Sequence, residues 1–420
     1  MKEPKIRFKG FSGEWKMPKL GDVFEIRNGY TPSKAVSAFW TNGTIPWFRM
    51  EDIRDKGGLL KEAYQKVTQE AVKGGGLFEA NSILLATTAT IGVHAMLIAD
   101  SLANQQFTNL KIRKSLVANY TPMYIYYSFF GIDEWCIKNS NAGGLLSVNM
   151  TELCKLPFLT PSLSEQRTLS SYFTSLDAQI SASTSRLVSL KQMKAASLQA
   201  MFPQEGETVP KVRFKGFEGE WKKVKFDKAF SFLKNNSLSR AELCNDGDII
   251  NIHYGDVLIK YGDILDIGND EVIYVADSNV ANKLYTDCPI VNGDIIIADA
   301  AEDFTVGKCV EVQNVTKQKI VSGLHTIPCR PLESTAPNFW GYYINSNSFH
   351  RQLLPMIQGS KISSISKTSL SATYVVFPVV EEQQSIASFF TSLDRQITLH
   401  AQRLEKLKQI KAACLDKMFV

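Results

Sequence analysis

The chain has 420 residues, of which 44% are apolar and 21% are charged, and its formal net charge is +5. This length and composition exclude a disordered or collagen-like protein and allow two or three globular domains, each with an apolar core. The weak positive charge neither requires nor excludes a nucleic-acid partner, because only local clusters of basic residues would indicate one.

The first element in chain order is a short segment, KIRFKGFSGEW at residues 5–15. It returns as KVRFKGFEGEW at residues 211–221, with nine of eleven positions identical. A match of this quality in a chain of ordinary composition indicates an internal duplication.

Between the repeated parts, the sequence predicts mixed, strand-rich domains. Short apolar runs at residues 82–86, 248–252 and 293–298 are bounded by Gly, Asn and Asp, which is typical of strands joined by tight turns. The uncharged stretch at residues 81–99 contains three threonines and a histidine, so it predicts a pair of buried strands and not a membrane span.

A second, longer repeat follows each of these domains. Residues 161–202 and 378–419 align without a gap, with 22 of 42 positions identical. A proline precedes polar residues in both copies, as at helix starts. Positions on one face of each predicted helix, which we call the seam, then recur in alternating steps of three and four. They run from Phe173 to Met201 and from Phe390 to Met418. This seam is apolar for most of its length and is polar at Ser183/His400 and Lys194/Lys411. The pattern predicts two helices of about 37 residues, each on the order of 55 Å long.

The expected fold class is therefore α+β. It consists of two mixed α/β domains separated by two long helices that form an antiparallel coiled coil, as a pseudo-two-fold internal repeat. The predicted boundaries are residues 1–160 for the first domain, 161–202 for the central helix, 203–377 for a linker and the second domain, and 378–420 for the C-terminal helix.

Motifs of independent catalysis are missing from the sequence. It contains no phosphate-binding loop, no Gly-rich dinucleotide or methyl-donor loop and no nucleophile elbow. Its five histidines are not spaced for zinc, and we expect the acidic stretch at residues 299–303 to be a surface loop. We therefore expect no catalytic residue, no metal site and no enzymatic activity of the chain alone. Seven scattered cysteines and an N-terminus without an apolar signal predict a cytoplasmic protein with reduced thiols and no membrane contact.

The repeated parts and the domains carry motifs that occur together in one known family. The helices open with PSLSEQ and PVVEEQ and continue with FTSLD-x-QI. The first domain contains G-x-TP…W…IPW…D at residues 29–53, then LLATTATIGVHAMLI and NQQF. The second contains GDIIIADAAEDFTVGKCVEV and SGLHTIPCRP. In this order, over nearly the whole chain, the motifs resemble the specificity subunit of type I restriction-modification systems.

The resemblance implies that each domain is a target recognition domain reading one half of a bipartite double-stranded DNA site in the major groove. The helices would set the spacing of the half-sites and bind two modification subunits, which methylate adenine, and restriction subunits would join the full complex. S-adenosylmethionine, ATP and magnesium would then be bound by those partners and not by this chain.

Base and phosphate contacts require basic, amide, hydroxyl or imidazole groups on turn-rich segments near these motifs. The DNA-binding candidates are Ser33, Lys34, Arg49, Arg54 and Lys56 in the first domain, and His253, Tyr254, Lys260, Lys308, His325, Lys361 and Ser363 in the second. A structural role for His325 stays open, and we expect Trp40 and Trp47 to pack in the core.

Residues off the helix seam are the candidates for partner contacts when they are identical in both copies. They are Gln166, Asp177, Gln179 and Arg186 in the central helix, and Gln383, Asp394, Gln396 and Arg403 in the C-terminal helix. Requirements of the fold would preserve the same identities.

Two other functions stay open from the residues alone. The chain could be a coiled-coil scaffold presenting two protein-binding domains, which salt-sensitive DNA binding would exclude. It could also be a self-sufficient DNA-modifying enzyme, which methyltransferase assays on the isolated chain would test.

Overall fold

The computed structural model describes residues 3–141, 146–359 and 362–419. The chain forms two compact units, with residues 1–184 and 402–420 in unit 1 and residues 185–401 in unit 2. Each unit therefore combines one globular domain with part of each long helix.

Unit 1 is a mixed α/β unit. Its strands are β1 (Phe24–Asn28), β2 (Ile45–Phe48), β3 (Leu59–Leu60), β4 (Gln65–Val67), β5 (Ile83–Ala86), β6 (His94–Leu97), β7 (Leu102–Ala103), β8 (Phe107–Ile112), β9 (Ser140–Asn141) and β10 (Ser147–Val148). Its α-helices are α1 (Leu20–Val23), α2 (Met50–Lys56), α3 (Pro122–Lys138), α4 (Met150–Lys155) and the first part of α5 (Leu163–Ala200). Short 3-10 helices lie at Ser37–Phe39, Gln69–Ala71 and Lys114–Asn119. The pair of buried strands expected within residues 81–99 is confirmed by β5 and β6, which are buried throughout.

Unit 2 is built from the same kinds of element. Its strands are β11 (Lys222–Lys225), β12 (Phe230–Phe232), β13 (Leu243–Cys244), β14 (Ile249–Ile252), β15 (Ile264–Asp266), β16 (Tyr274–Val275), β17 (Ile295–Ala298), β18 (Ala300–Ala301), β19 (Cys309–Gln313), β20 (Lys319–Ser322), β21 (Thr326–Pro331), β22 (Ser363–Ser364) and β23 (Tyr374–Phe377). Its α-helices are α6 (Phe226–Ala229), α7 (Tyr254–Ile259), α8 (Ser278–Asp287), α9 (Phe339–Asn345), α10 (Asn347–His350), α11 (Lys367–Ala372) and the first part of α12 (Val380–Met418). Two 3-10 helices lie at Arg240–Glu242 and Leu354–Met356. The other two predicted strands are confirmed by β14 and β17.

The main sheets of the two units have the same topology, although the two domain sequences scarcely match. The strand order is β1-β8-β5-β6-β3 in unit 1 and β12-β21-β17-β19-β15 in unit 2. In both sheets the first three pairings are antiparallel and the last is parallel. A second sheet pairs β2 with β4 and β7 in unit 1, and β14 with β16 and β20 in unit 2. The two domains are therefore two versions of one fold.

The long helices contribute their apolar seam to the core of each unit. Phe173 of α5 and Met418 of α12 are buried in unit 1, and Phe202 stacks on Phe390 at 5.9 Å between ring centroids in unit 2. Every predicted seam position in both helices is buried or half-buried. The predicted heptad seam is therefore confirmed, and it buries apolar surface that a lone helix would expose.

The two helices pair in antiparallel orientation, as expected. In unit 1, the Tyr172 hydroxyl lies 3.4 Å from the Cys414 thiol, and Lys411 Nζ lies 2.6 Å from Asp177 Oδ1. Ascending residue numbers in α5 thus meet descending numbers in α12. In unit 2, Lys194 of α5 meets Asp394 of α12.

The lysines that interrupt the seam form ion pairs within their units. Lys194 Nζ lies 2.7 Å from Asp394 Oδ1 and 2.6 Å from Asp263 Oδ2. Burial alone would lower the pKa of Lys194, but the two carboxylates outweigh it, so the pKa is raised. Shifting the helix register would separate this half-buried lysine from Asp394 of α12, so the polar seam positions favour one alignment.

The duplicated segments at residues 5–15 and 211–221 each hold the start of one long helix. Arg7 donates two hydrogen bonds to Glu165, at 2.7 and 2.8 Å, and Arg213 donates two to Glu382 at the same distances. Both glutamates are at most 1% exposed and lie in the first turn of α5 or α12. The segment occurs twice because each copy supplies the cation for one buried helix start.

A buried carboxyl group in unit 2 makes its stability depend on pH. Glu311 on β19 accepts hydrogen bonds from the backbone N–H groups of Asn338 and Gly341. Burial raises the pKa of Glu311 to about 7, although these donors oppose the shift. The pKa is higher in the folded chain than the usual ~4.3, so the folded state binds more protons between those values. We expect unit 2 to lose at most about 3 kcal/mol of stability as the pH rises from about 4.3 to about 7.

Scanning calorimetry of the full chain at pH 5, 6, 7 and 8 tests this expectation. Glu311→Gln should flatten the decrease of Tm with pH, whatever its effect on the absolute Tm. An unchanged pH slope in this variant would contradict the assignment.

Candidate nucleic-acid interface

Three of the predicted DNA-binding residues of unit 2 lie together at the end of β14 and in the turn before β21. His253 caps the N-terminus of α7, and its Nδ1 accepts a hydrogen bond from the Gly255 N–H at 3.2 Å. The Tyr254 ring lies 4.7 Å from the His253 ring and 5.3 Å from the His325 ring. His325 is exposed and has a φ of +53°, in the region that residues with side chains rarely adopt. These side chains form the unit 2 reading cluster, defined as His253, Tyr254 and His325.

Two acidic residues, Asp256 and Asp299, lie beside this cluster. Burial lowers the pKa of His253, and the nearby Asp256 only partly opposes it. His325 Nδ1 lies 3.2 Å from Asp299 Oδ1. Burial raises the pKa of Asp299, and His325 partly opposes that shift. The half-buried Tyr254 and the exposed His325 thus offer a phenol and an imidazole group suited to base edges or phosphates, whereas the His253 ring is buried.

Ser363 lies next to the same region, whereas Lys361 is outside the described residues. Ser363 pairs with Ala301 in the short ladder between β18 and β22. The neighbouring Asp299 accepts a backbone hydrogen bond from Ile365. The structure thus brings Ser363 close to the acid that contacts His325.

The two other lysines predicted for unit 2 differ from each other. Lys260 is exposed, and its Nζ lies 3.1 Å from Glu271 Oε2. Lys308 Nζ donates to the backbone carbonyls of Leu258 and Tyr261 at 3.0 and 2.8 Å, and burial lowers its pKa. Within the unit, the Lys308 ammonium group holds the end of α7, and a role of this residue in DNA binding stays a prediction.

The unit 1 candidates centre on a lysine between two tryptophans. Lys34 Nζ lies 3.4 Å from the ring centroid of Trp40 and 4.9 Å from that of Trp47, and it donates to Gln65 at 2.9 Å. Burial and the charge of Arg49 lower the pKa of Lys34. Trp47 is buried, as expected, while Trp40 is half-buried.

The other unit 1 candidates lie beside this lysine or along α2. Ser33 is exposed, and its carbonyl accepts a hydrogen bond from the Trp40 indole N–H. Arg49 directly precedes α2 and pairs with Glu51. Arg54 on α2 is exposed. Lys56 ends α2, and its Nζ donates to the Glu62 carbonyl at 2.9 Å. Unit 1 therefore groups basic side chains at one strand-to-helix junction, where Arg49 and Lys56 are paired with acidic residues of α2.

The candidates of the two units occupy equivalent places in the shared fold. Arg49 lies between β2 and α2, and His253 lies between the corresponding β14 and α7. The turn before β8 carries the exposed Gln105, whose side chain accepts a hydrogen bond from Thr31, and the turn before β21 carries His325. Gln105 is not among the residues predicted from the sequence, although NQQF forms a polar turn between apolar runs just as SGLHTI does, and its position makes it a further candidate.

Two of the predicted partner-binding residues are internal. Gln166 and Gln383 are 1% and 2% exposed. The side-chain oxygen of Gln166 accepts from the Thr121 N–H at 3.0 Å, and that of Gln383 accepts from the Ala336 N–H at 3.1 Å. The expectation that they face a partner is wrong, because both amides hold the globular domain onto its helix.

The remaining partner candidates fall into two groups. Asp177 accepts a hydrogen bond from the Tyr127 hydroxyl at 2.8 Å, and Asp394 accepts one from Tyr342 at 2.9 Å, in addition to their lysine partners. These acids tie the domain, α5 and α12 together within each unit. The four exposed candidates are Gln179, Arg186, Gln396 and Arg403.

Within residues 3–141, 146–359 and 362–419, no group of three or more metal-ligating side chains converges on one point. All seven cysteines are free thiols. No helix in the same part of the chain is long and apolar enough to cross a membrane.

Comparison with known proteins finds one protein family, whose domain matches two separate parts of the chain. The type I restriction modification DNA specificity domain matches residues 12–192 and 219–409. The specificity subunit of the Escherichia coli type I restriction enzyme EcoprrI is 47% identical over 152 residues, which cover 36% of this chain and 37% of that protein. The MjaIX specificity subunit of Methanocaldococcus jannaschii is 21% identical over 432 positions, covering 96% of this chain and 92% of that protein.

A solved structure supports the same assignment at the level of the fold. The crystal structure of the S subunit of the type I restriction-modification system from M. genitalium aligns with a TM-score of 0.56 and 13% sequence identity. The alignment covers 100% of this chain and 99% of that chain. With two matches to the family over most of its length, the chain belongs to the type I restriction modification DNA specificity family.

Proposed function

We propose that this chain is the DNA-recognition subunit of a type I restriction-modification complex, in which each unit reads one half of a bipartite double-stranded site. The proposal rests on one observation: the two units share the same helix framework but carry different residues at their strand-to-helix junctions. The helix framework keeps the same contacts in both units, while the equivalent strand-to-helix junctions present Lys34 and Arg49 in one unit and the reading cluster in the other. Different half-sites require different readers on one fold.

The repeated framework is the proposed binding surface for two modification subunits. A partner that binds twice requires the same surface twice, and the exposed Gln179 and Arg186 recur as Gln396 and Arg403. Helices of 38 and 39 residues would hold the two readers at a fixed spacing. Restriction subunits would complete the assembly.

The chain itself is proposed to be non-catalytic and to bind no cofactor. S-adenosylmethionine would be bound by the modification subunits, and ATP and magnesium would be used by the restriction subunits. Incubating the isolated chain with DNA and labelled S-adenosylmethionine should transfer no methyl group, and measurable transfer would contradict this part of the proposal.

The decisive experiment is co-expression with the neighbouring modification and restriction genes, followed by methylation-sensitive sequencing of the host DNA. A split motif with methyladenine on both strands is the expected result. Replacing residues 17–160 with the corresponding domain of another family member should change one half of that motif and leave the other unchanged. An assembled complex that methylates no split motif would favour the scaffold function instead.

A further inference from the structure

The two RFKGF-GEW segments keep their exposed residues as well as their buried ones. The pattern of exposed, half-buried and buried positions is the same at all eleven places of residues 5–15 and 211–221. Requirements of the fold explain why two residues recur in both copies. One is the arginine that pairs with a buried glutamate, and the other is the tryptophan that is 3% exposed in each copy. It does not explain why the exposed Lys5 and Lys9 recur as the exposed Lys211 and Lys215.

In unit 2 the segment forms one wall of an apolar groove of about 340 Å³. Val212 and Met193 are 53% and 47% exposed at this groove, and Phe214 and Phe389 lie in its wall. Val212 is held in place by a hydrogen bond from its backbone N–H to the Ala200 carbonyl at 2.9 Å. The rest of the lining comes from α5 and the segment: Ala196, Ser197, Ala200, Met201 and Arg213.

Unit 1 repeats this arrangement with other residues of the same kind. Ile6 and Ile410, which correspond to Val212 and Met193, are 48% and 37% exposed. The Ile6 N–H donates to the Lys417 carbonyl at 3.0 Å, which matches the bond of Val212. Phe8 packs edge-on against Tyr172 at 5.6 Å, as Phe214 does against Phe389 at 6.2 Å. We call the groove of unit 2 and the equivalent surface of unit 1 the segment–helix grooves.

We propose that each segment–helix groove receives an apolar side chain from one modification subunit, with acidic residues of that subunit next to the flanking lysines. This inference rests on the proposed function and specifies where its partner binds. Single exposed apolar residues are common on protein surfaces, but here they recur at equivalent positions in two units whose other surfaces diverge. A partially exposed apolar pocket with a charged rim is the usual form of an interface centre. The exposed lysines that flank the apolar residues of each segment in the sequence favour an acidic partner surface.

The test uses the full chain co-purified with the modification subunit from the neighbouring gene. Ile6→Asp and Val212→Asp place a charge in one groove each, and native mass spectrometry counts the bound subunits. We expect each single variant to bind one modification subunit and the double variant to bind none, with at least about tenfold weaker binding at the altered groove.

Matched controls are Val117→Asp and Leu332→Asp, which alter residues that are 56% and 57% exposed and that do not line the groove of unit 2 or its counterpart in unit 1. They should still bind two subunits. Lys9→Glu and Lys215→Glu leave the apolar lining unchanged, so they test the charged rim if the aspartate variants fail to fold. Each should weaken one of the two binding events.

The outcomes separate the two proposals. If the wild-type chain binds two modification subunits and all groove variants bind two with unchanged affinity, the grooves are not the docking site and the proposed function stands. If the wild-type chain binds none, the proposed function fails and the groove assignment fails with it.

Discussion

Arg213→Met is expected to lower the free energy of unfolding by roughly 3 kcal/mol, because it leaves a buried carboxylate without its cation. Glu382 is 0% exposed, and both of its oxygens accept hydrogen bonds from Arg213 at 2.7 and 2.8 Å. Urea denaturation of the full chain measures the loss. A neighbouring substitution, Lys211→Met, removes an exposed charge and should change stability by less than about 0.5 kcal/mol.

A double-mutant cycle identifies the cause. Arg213→Met combined with Glu382→Met replaces the pair with apolar side chains and should restore most of the lost stability. If the single and double variants are equally destabilised, the arginine contributes through packing and not through the carboxylate. The same cycle at Arg7 and Glu165 should give a similar result in unit 1, where the glutamate is 1% exposed.

Removing two members of the unit 2 reading cluster should lower the affinity for the specific site by roughly 100-fold at constant salt concentration. The variant is Tyr254→Ala with His325→Ala, whose rings lie 5.3 Å apart at the surface of unit 2. Each group that reads a base contributes about 1–3 kcal/mol of discrimination, so losing two has a large effect. Fluorescence anisotropy of the assembled complex on its methylation site measures it.

The choice of DNA probes makes this prediction specific to one half-site. Base changes in the half read by unit 2 should no longer matter to the variant, while changes in the other half should weaken it as they do the wild type. Tyr374→Ala, which alters another exposed tyrosine of unit 2, is the control and should bind normally. Equal loss for both half-sites would mean that the cluster supports the fold of the complex and does not read bases.

Both predictions depend on a distinction between residues that hold the fold together and residues that are proposed to contact DNA. The contacts that join helix, segment and domain are the same in the two units, so they tolerate little change. The residues at the strand-to-helix junctions differ between the units, and none of them takes part in the ion pairs and amide hydrogen bonds described for this framework. A fold organised in this way permits new recognition surfaces on an unchanged support.

The sequence alone determined the duplication, the long helices, their apolar seam and the buried strands of both domains. Periodicity carries this information, because steps of three and four place residues on one face of a helix, and continuous apolar runs mark buried strands. His253 and His325 were chosen by residue type near the family motifs, and their role in DNA binding stays a prediction.

Only the tertiary structure decided which polar groups meet. A sequence pattern does not distinguish an amide that faces solvent from one that holds a domain onto its helix, so Gln166 and Gln383 were assigned to a partner although they are buried. Nor does a sequence pattern reveal that Lys308 donates hydrogen bonds to two carbonyls of its own unit. The common topology of the two domains was hidden for the same reason. Strand order depends on contacts between residues far apart in the chain, and many dissimilar sequences satisfy the same set of contacts.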